Sequence, residues 1–167
     1  MAVDTRSDMD ATHILASDHR KVEDLFTKYE SANGTERKRA LAMEICTELK
    51  VHAQIEEEIF YPALKGKVDE DLLNEAYVEH DGAKVLINEI AEGSPDEEFY
   101  DAKITVLKEQ IEHHVTEEEK ERDNMFQQAR AADVDLNAIG ELLLARKKEL
   151  MAQADAGRLP PAKLSTM

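Results

Sequence analysis

An all-α fold, a four-helix up-down-up-down bundle with an additional C-terminal helix, is what this sequence predicts, on three observations. Charged residues make up 35% of the chain and aromatic residues 5%, a balance typical of helical proteins. Apolar residues recur at alternating three- and four-residue spacing through long segments, the pattern of a bundle seam. Between those segments stand turn signals: Asn33-Gly34, Gly66 and Gly93-Ser94-Pro95. At 167 residues the length suits one domain. We expect that domain over 10–156, with a polar tail over 1–9 and a frayed tail over 157–167.

The first helix is expected from about Asp10 to Glu30, with Leu15, Val22, Phe26 and Tyr29 on its inner face and His19 between Leu15 and Val22. The second runs from about Glu36 to Leu64 and carries Leu41, Ile45, Leu49 and Ile59 on the face of His52 and Glu56. The third spans about Asp69 to Ala91, with acidic residues in its first turn, where the helix dipole favours them. Leu73, Ala76, His80, Ala83, Ile87 and Ile90 form its seam. Gly82 in mid-helix costs about 1 kcal/mol against alanine, and either leaves room beside His80 or sits on the surface. Ser94 has the features of an N-cap, with Pro95 at the first helical position and Glu97 three after the cap. The fourth helix should run from there to about Ala131, with Ile104, Leu107, Ile111, His114, Glu118 and Met125 on its seam. A fifth, to about Ala154, presents Leu136, Ile139, Leu142, Leu143 and Leu150 and should pack outside the bundle or at its end.

Net charge is -16 and the pI near 4.7, so the basic footprint of a nucleic-acid binder is missing. No apolar run is long enough to span a membrane, and the first ten residues have no secretory h-region. The single cysteine, Cys46, reads as a core residue. A cytoplasmic protein without nucleic-acid or membrane partners, monomeric or weakly homo-oligomeric, is expected.

The seams hold polar residues that have no place in an ordinary core. His19, His52, His80 and His114 each lie mid-helix, one per helix, 13 to 20 residues from the neighbouring turn centres. At about 1.5 Å rise per residue, the mismatches in level stay within about 9 Å. Glu56 and Glu118 follow two of these histidines by four residues, on the same helix face. Buried carboxylates must find partners, and cations at imidazole and carboxylate groups supply them. Four imidazoles and two carboxylates exceed one tetrahedral zinc and suit two octahedral ions. Iron fits that donor set, with manganese or zinc as substitutes. His13 reads as surface. His113 with Glu117 has the same spacing as His114 with Glu118, and the heptad through Leu107 and Ile111 selects the latter pair. Glu57 and Glu119 read as solvent-facing groups or hydrogen-bond partners of the ligands.

These residues resemble the hemerythrin HHE cation-binding family over about residues 10 to 150. The carriers are Asp18-His19-Arg20, His52-x-x-x-Glu56-Glu57 with Tyr61-Pro62, Glu79-His80, and His113-His114-Val115-x-x-Glu118-Glu119. The resemblance implies a bundle around an oxo- or hydroxo-bridged pair of iron ions. It puts His19 and His52 on one iron and His80 and His114 on the other, bridged by Glu56 and Glu118. Oxygen-carrying members have a second histidine where this chain has Ala76, and an aspartate where it has Glu118. The pattern is therefore similar to bacterial members with an H-HxxxE-H-HxxxE ligand set. That group implies chemistry with a small oxidant, hydrogen peroxide in a catalase-like reaction or nitric oxide. The alternative is a protein that binds or senses iron, oxygen or nitric oxide without turnover. Tyr77, beside the Ala76 position, is a candidate catalytic hydrogen-bond donor to a bound ligand.

Overall fold

The computed structural model describes residues 10–167; the tail expected over 1–9 lies outside the described residues. Helix α1 (Ala11–Ser31) starts at Asp10, whose carboxylate accepts from the His13 amide at 3.1 Å, and ends before the Gly34 turn, where φ is +87°. Helix α2 covers 35–64 in three consecutive pieces: an α-helical run Thr35–Ile55, a π-helical turn Glu56–Phe60 and a last turn Tyr61–Leu64. In the π turn the Tyr61 amide donates to the Glu56 carbonyl, five residues back. Pro62, which has no amide to give, stands just past this interruption of the ladder. Helix α3 (Glu70–Glu92) is capped by Asp69, which accepts from the Leu72 amide at 3.0 Å.

Helix α4 covers 100–120, an α-helical run Tyr100–Val115 followed by a second π turn Thr116–Lys120. It departs from expectation at both ends. Ser94 caps no helix. The Glu97 carboxylate does accept the Ser94 amide at 2.5 Å, but the Ser94 hydroxyl faces Asp96 and accepts from Arg39, so its oxygen is taken and 94–99 forms turns. At the other end Glu121 is extended and Asp123 takes φ +57°, a left-handed value that aspartate tolerates. Asn124 then caps a separate helix α5 (Met125–Ala131) by accepting from the Gln127 amide at 2.9 Å. Met125 is buried, as its seam position requires, but on α5.

Helix α6 (Leu136–Asp155) packs outside the bundle against α1 and α2, burying Leu136, Ile139, Leu143 and Leu150 and leaving Leu142 exposed. Among the described residues there is no strand, and no helix is long and apolar enough to cross a membrane. The segment over 157–167 is not frayed. Asn88 exchanges two hydrogen bonds with Ala162, and Asp81 accepts from the amides of Ser165 and Thr166 at 2.8 and 2.7 Å.

The apolar interior is split into two clusters. One gathers Leu15, Ile55, Phe60, Leu64, Phe126 and Leu143 where α5 and α6 join the bundle. The other gathers Val22, Phe26, Ile45, Leu49, Ile87 and Leu107 at the opposite end. The histidines of the seams lie between them. Cys46 belongs to the second cluster, and burial pushes its thiol up to about 12, so it is inert at neutral pH.

A Cβ on Gly82 meets nothing within 4 Å, which settles its position as a surface glycine. Gly82→Ala is therefore expected to stabilise the protein by about 1 kcal/mol, measured by chemical denaturation; a loss of stability would show that the helix needs the glycine.

Candidate metal centre

His19, His52, Glu56, His80, His114 and Glu118 meet at one level of the bundle, each no more than 6% exposed. The Nε2 atoms of His19 and His52 lie 3.2 Å apart, and those of His80 and His114 likewise 3.2 Å apart. Each glutamate reaches across both pairs. Glu56 Oε1 is 3.0 Å from His52 and 3.2 Å from His80; Glu118 Oε1 is 3.3 Å from His19 and 3.1 Å from His114. The two π turns begin at or just before these glutamates, so each carboxylate leaves its helix where the ladder is widened.

The outer nitrogens are equally ordered. His52 Nδ1 is 2.9 Å from Asp18, His80 Nδ1 2.7 Å from Glu57, His114 Nδ1 2.8 Å from Glu79, and His19 Nδ1 3.1 Å from Glu119. Carboxylate acceptors at Nδ1 place the ring proton there and turn the Nε2 lone pair inward. Three of these carboxylates also meet a cationic side chain: Asp18 with Lys147 at 2.5 Å, Glu57 with Lys84 at 2.9 Å, and Glu119 with Arg20. Burial raises the cost of the Asp18 charge, but the hydrogen bond to His52 and the Lys147 cation outweigh it and bring its carboxyl down to about 2.

Glu57 and Glu119 are thus hydrogen-bond partners of the histidines, one of the two roles the sequence left open. The roles of Asp18 and Glu79 were not read from the sequence. The available signal was position: each directly precedes one seam histidine and serves the histidine of the next helix.

Tyr61 is the other residue missed. Its hydroxyl donates to Glu118 Oε2 at 2.9 Å and lies 3.2 and 3.3 Å from the Nε2 atoms of His80 and His114. Tyr77, the candidate donor named from the sequence, instead packs its ring edge-on against Tyr61, with centroids 5.2 Å apart, and makes no hydrogen bond to the six. Burial, then Glu118 and Glu56, push the Tyr61 phenol well above its usual range, so it stays protonated. On the His19 half the corresponding neighbour is apolar: Phe126 stacks parallel to the His19 ring at 5.9 Å.

The donor set fits cations. Both Glu56 oxygens and Glu118 Oε1 are buried without a hydrogen-bond partner, although imidazole nitrogens stand within 3.3 Å of Glu56 Oε1 and Glu118 Oε1. Short separations without hydrogen-bond alignment suit donor atoms arranged around a common cation better than a hydrogen-bonded cluster. Two ligand atoms at about 2.1 Å from an ion in adjacent octahedral positions are about 3.0 Å apart, close to the separations here. His19, His52 and Glu118 form one set able to hold a metal ion, and Glu56, His80 and His114 a second. A third group of Glu79, His113 and Glu117 lies outside the core, and His13 is 42% exposed beside Asp10. Burial and the adjacent Glu79 carboxylate push the Glu117 carboxyl up to about 7.

A helical bundle whose core converges on histidines and glutamates able to hold cations defines the class. The comparisons with known proteins define the family. The model of the hemerythrin HHE cation binding domain matches residues 10–122, and the chain belongs to that family. A crystal structure of a hemerythrin HHE cation binding domain-containing protein from Mycobacterium kansasii has the same fold. Its TM-score is 0.76 at 24% identity, covering 92% of this chain and 94% of that one. A protein described as a DNA nickase from Nostoc sp. is 29% identical over 114 residues, 68% of this chain but only 32% of the nickase. The chain therefore spans about a third of the length of that relative.

Without metal, protons take the place of cations. Burial opposes charge on His52 and His114, but Glu56, Asp18, Glu118 and Glu79 raise both well above 6.5. A raised folded pKa contributes stability that is complete below the unfolded value and lost as pH rises through the folded one. The metal-free chain is therefore expected to melt progressively lower as pH rises above 6.5, while metal-loaded protein, with neutral imidazoles, shows no such fall. Melting curves at pH 6 to 9 with and without chelator check this; parallel profiles would contradict it.

Proposed function

We propose that the six core side chains bind two iron ions, with manganese or zinc as substitutes, and that the centre reacts with a small oxidant. His19 and His52 hold one ion, His80 and His114 the other, and Glu56 and Glu118 reach both. The substrate is hydrogen peroxide, one molecule reduced to water while a second is oxidised to oxygen, or nitric oxide. When bound, the iron pair supplies the redox chemistry. The observation that carries the reading is a cavity of about 30 Å³ against the four histidines, lined otherwise by Asp18, Lys84 and apolar side chains that include Val22, Leu49, Ile87 and Ile111. That volume holds about two waters, the size of one peroxide, and too little for an organic substrate.

The chain's own residues have distinct tasks. Asp18, Glu57, Glu79 and Glu119 hold the rings in the orientation that presents Nε2. Tyr61 fixes Glu118 and keeps a proton at its hydroxyl beside His80 and His114. The apolar walls limit water. Tyr77 acts by packing against Tyr61.

A second reading, reversible binding or sensing without turnover, draws on the same cavity. Apart from the histidines its polar lining is Asp18 and Lys84, and both are already engaged in ion pairs, so the cavity offers no free proton donor.

Metal analysis of the native protein, followed by assays of oxygen release from peroxide and of nitric oxide consumption, tests both. Glu57→Gln and Asp18→Asn are expected to lower iron affinity about 10- to 100-fold. Tyr61→Phe should lower turnover about tenfold with iron content unchanged, and Tyr77→Phe should have little effect. Less than one iron per chain would overturn the ligand assignment. Full iron without consumption of either substrate, but with a reversible oxygenated spectrum, would select the second reading.

A further inference from the structure

The pair His113-x-x-x-Glu117 repeats, one residue earlier, the spacing of His114-x-x-x-Glu118. One residue turns a helix by about 100°, so the repeat faces outward from α4 while its neighbour faces the core. There it meets Glu79 of α3. His113 Nε2 lies 3.2 Å from Glu79 Oε2 and 3.1 Å from Glu117 Oε1. The His113 side chain is 67% exposed, and the two carboxylates are mostly covered, at 22% and 18%.

This corner breaks a pattern kept elsewhere around the core. Asp18, Glu57 and Glu119 each have a lysine or arginine partner. Among the described residues neither Glu79 nor Glu117 has one; their only ionic partners are the imidazoles of His113 and, for Glu79, His114. A nitrogen and two oxygens converge at this corner with no lysine or arginine beside them. Two ligands of a tetrahedral zinc ion, at about 2.1 Å from it, are about 3.4 Å apart, which the two separations here approach without rearrangement.

We propose that Glu79, His113 and Glu117 form a third, outer cation site that takes a borderline divalent ion such as Zn²⁺, completed by solvent. The site is open to solvent through His113. It is also joined to the core, because Glu79 divides its two oxygens between the sites: Oε1 accepts from His114 Nδ1 at 2.8 Å while Oε2 faces the outer ion. Occupancy outside thus bears on the carboxylate that orients a core histidine, as outer-shell partners of metal ligands do.

The test is equilibrium dialysis of the full-length, iron-loaded protein against Zn²⁺, with iron and zinc both counted by elemental analysis. One additional zinc per chain is expected for the wild type. His113→Ala and Glu117→Gln should each weaken that binding at least about tenfold with iron content unchanged, and His113→Ala, at a surface side chain, should leave the melting temperature unchanged. The readout is the difference between wild type and variants, so it holds whichever metal fills the core. Zinc binding that is identical in all three proteins, or wild-type protein that takes up no zinc at millimolar concentration, would overturn the proposal. In the second case His113 serves only as the counter-charge of Glu79, and His113→Lys would then preserve the melting temperature.

Discussion

Four imidazole nitrogens and two carboxylates are forced together in the middle of this molecule, where the Tyr61 hydroxyl on Glu118 Oε2 is the one phenol donor among them. The outer carboxylates claim the Nδ1 protons of the four rings, which leaves Nε2 facing Nε2 at 3.2 Å in each pair. Both oxygens of Glu56 are fully buried and unpartnered. Leaving such a charge uncompensated costs several kcal/mol per group, a large part of the 5–15 kcal/mol that holds a domain of this size together. The centre therefore requires positive charge, as cations or as protons, and its surroundings are built so that only a small, strongly interacting species can supply it.

The rest of the fold follows from that requirement with an approximate two-fold repeat. Asp18 on α1 serves His52 on α2, and Glu79 on α3 serves His114 on α4; Glu57 on α2 serves His80, and Glu119 on α4 serves His19. Each π turn falls at the matching glutamate. The repeat fails where the two halves need to differ. Tyr61 brings a hydroxyl to the His80 and His114 side, whereas Phe126, from the separate helix α5, lays a bare ring on His19. The outer charges differ as well: two lysines and an arginine on three corners, and an exposed histidine on the fourth.

Segments outside the bundle contribute through the same outer shell. Helix α6 brings Lys147 to Asp18. The C-terminal segment binds Asp81 and the nearby Lys84, and places the Ser165 hydroxyl on Glu57. Lys147 and Ser165 thereby fix Asp18 and Glu57, the carboxylates that hold His52 and His80.

The six core residues were legible in the sequence because one histidine per helix, at seam spacing and mid-helix, has no reason to recur by chance in a core. The four helices were legible from their three-four periodicity, and Cys46 from its apolar neighbours. What the sequence could not determine depends on two segments meeting. The partner of each Nδ1 lies on another helix, so Asp18 and Glu79 stood out in the sequence only as parts of the family pattern, with no histidine assigned to them. Tyr61 and Tyr77 are both aromatic residues near the seams, and only the path of α2 past its π turn puts one hydroxyl at Glu118 and the other ring behind it. The turns at 94–99 were hidden because the Ser94 capping signal meets Arg39 from another segment, and the break at 121–124 because its Asn124 cap lies inside a continuing seam pattern. Spacing along one helix is a one-dimensional quantity and survives in the sequence; which side chain answers which across the bundle is set by helix rotation and register, and exists only once the chain has packed.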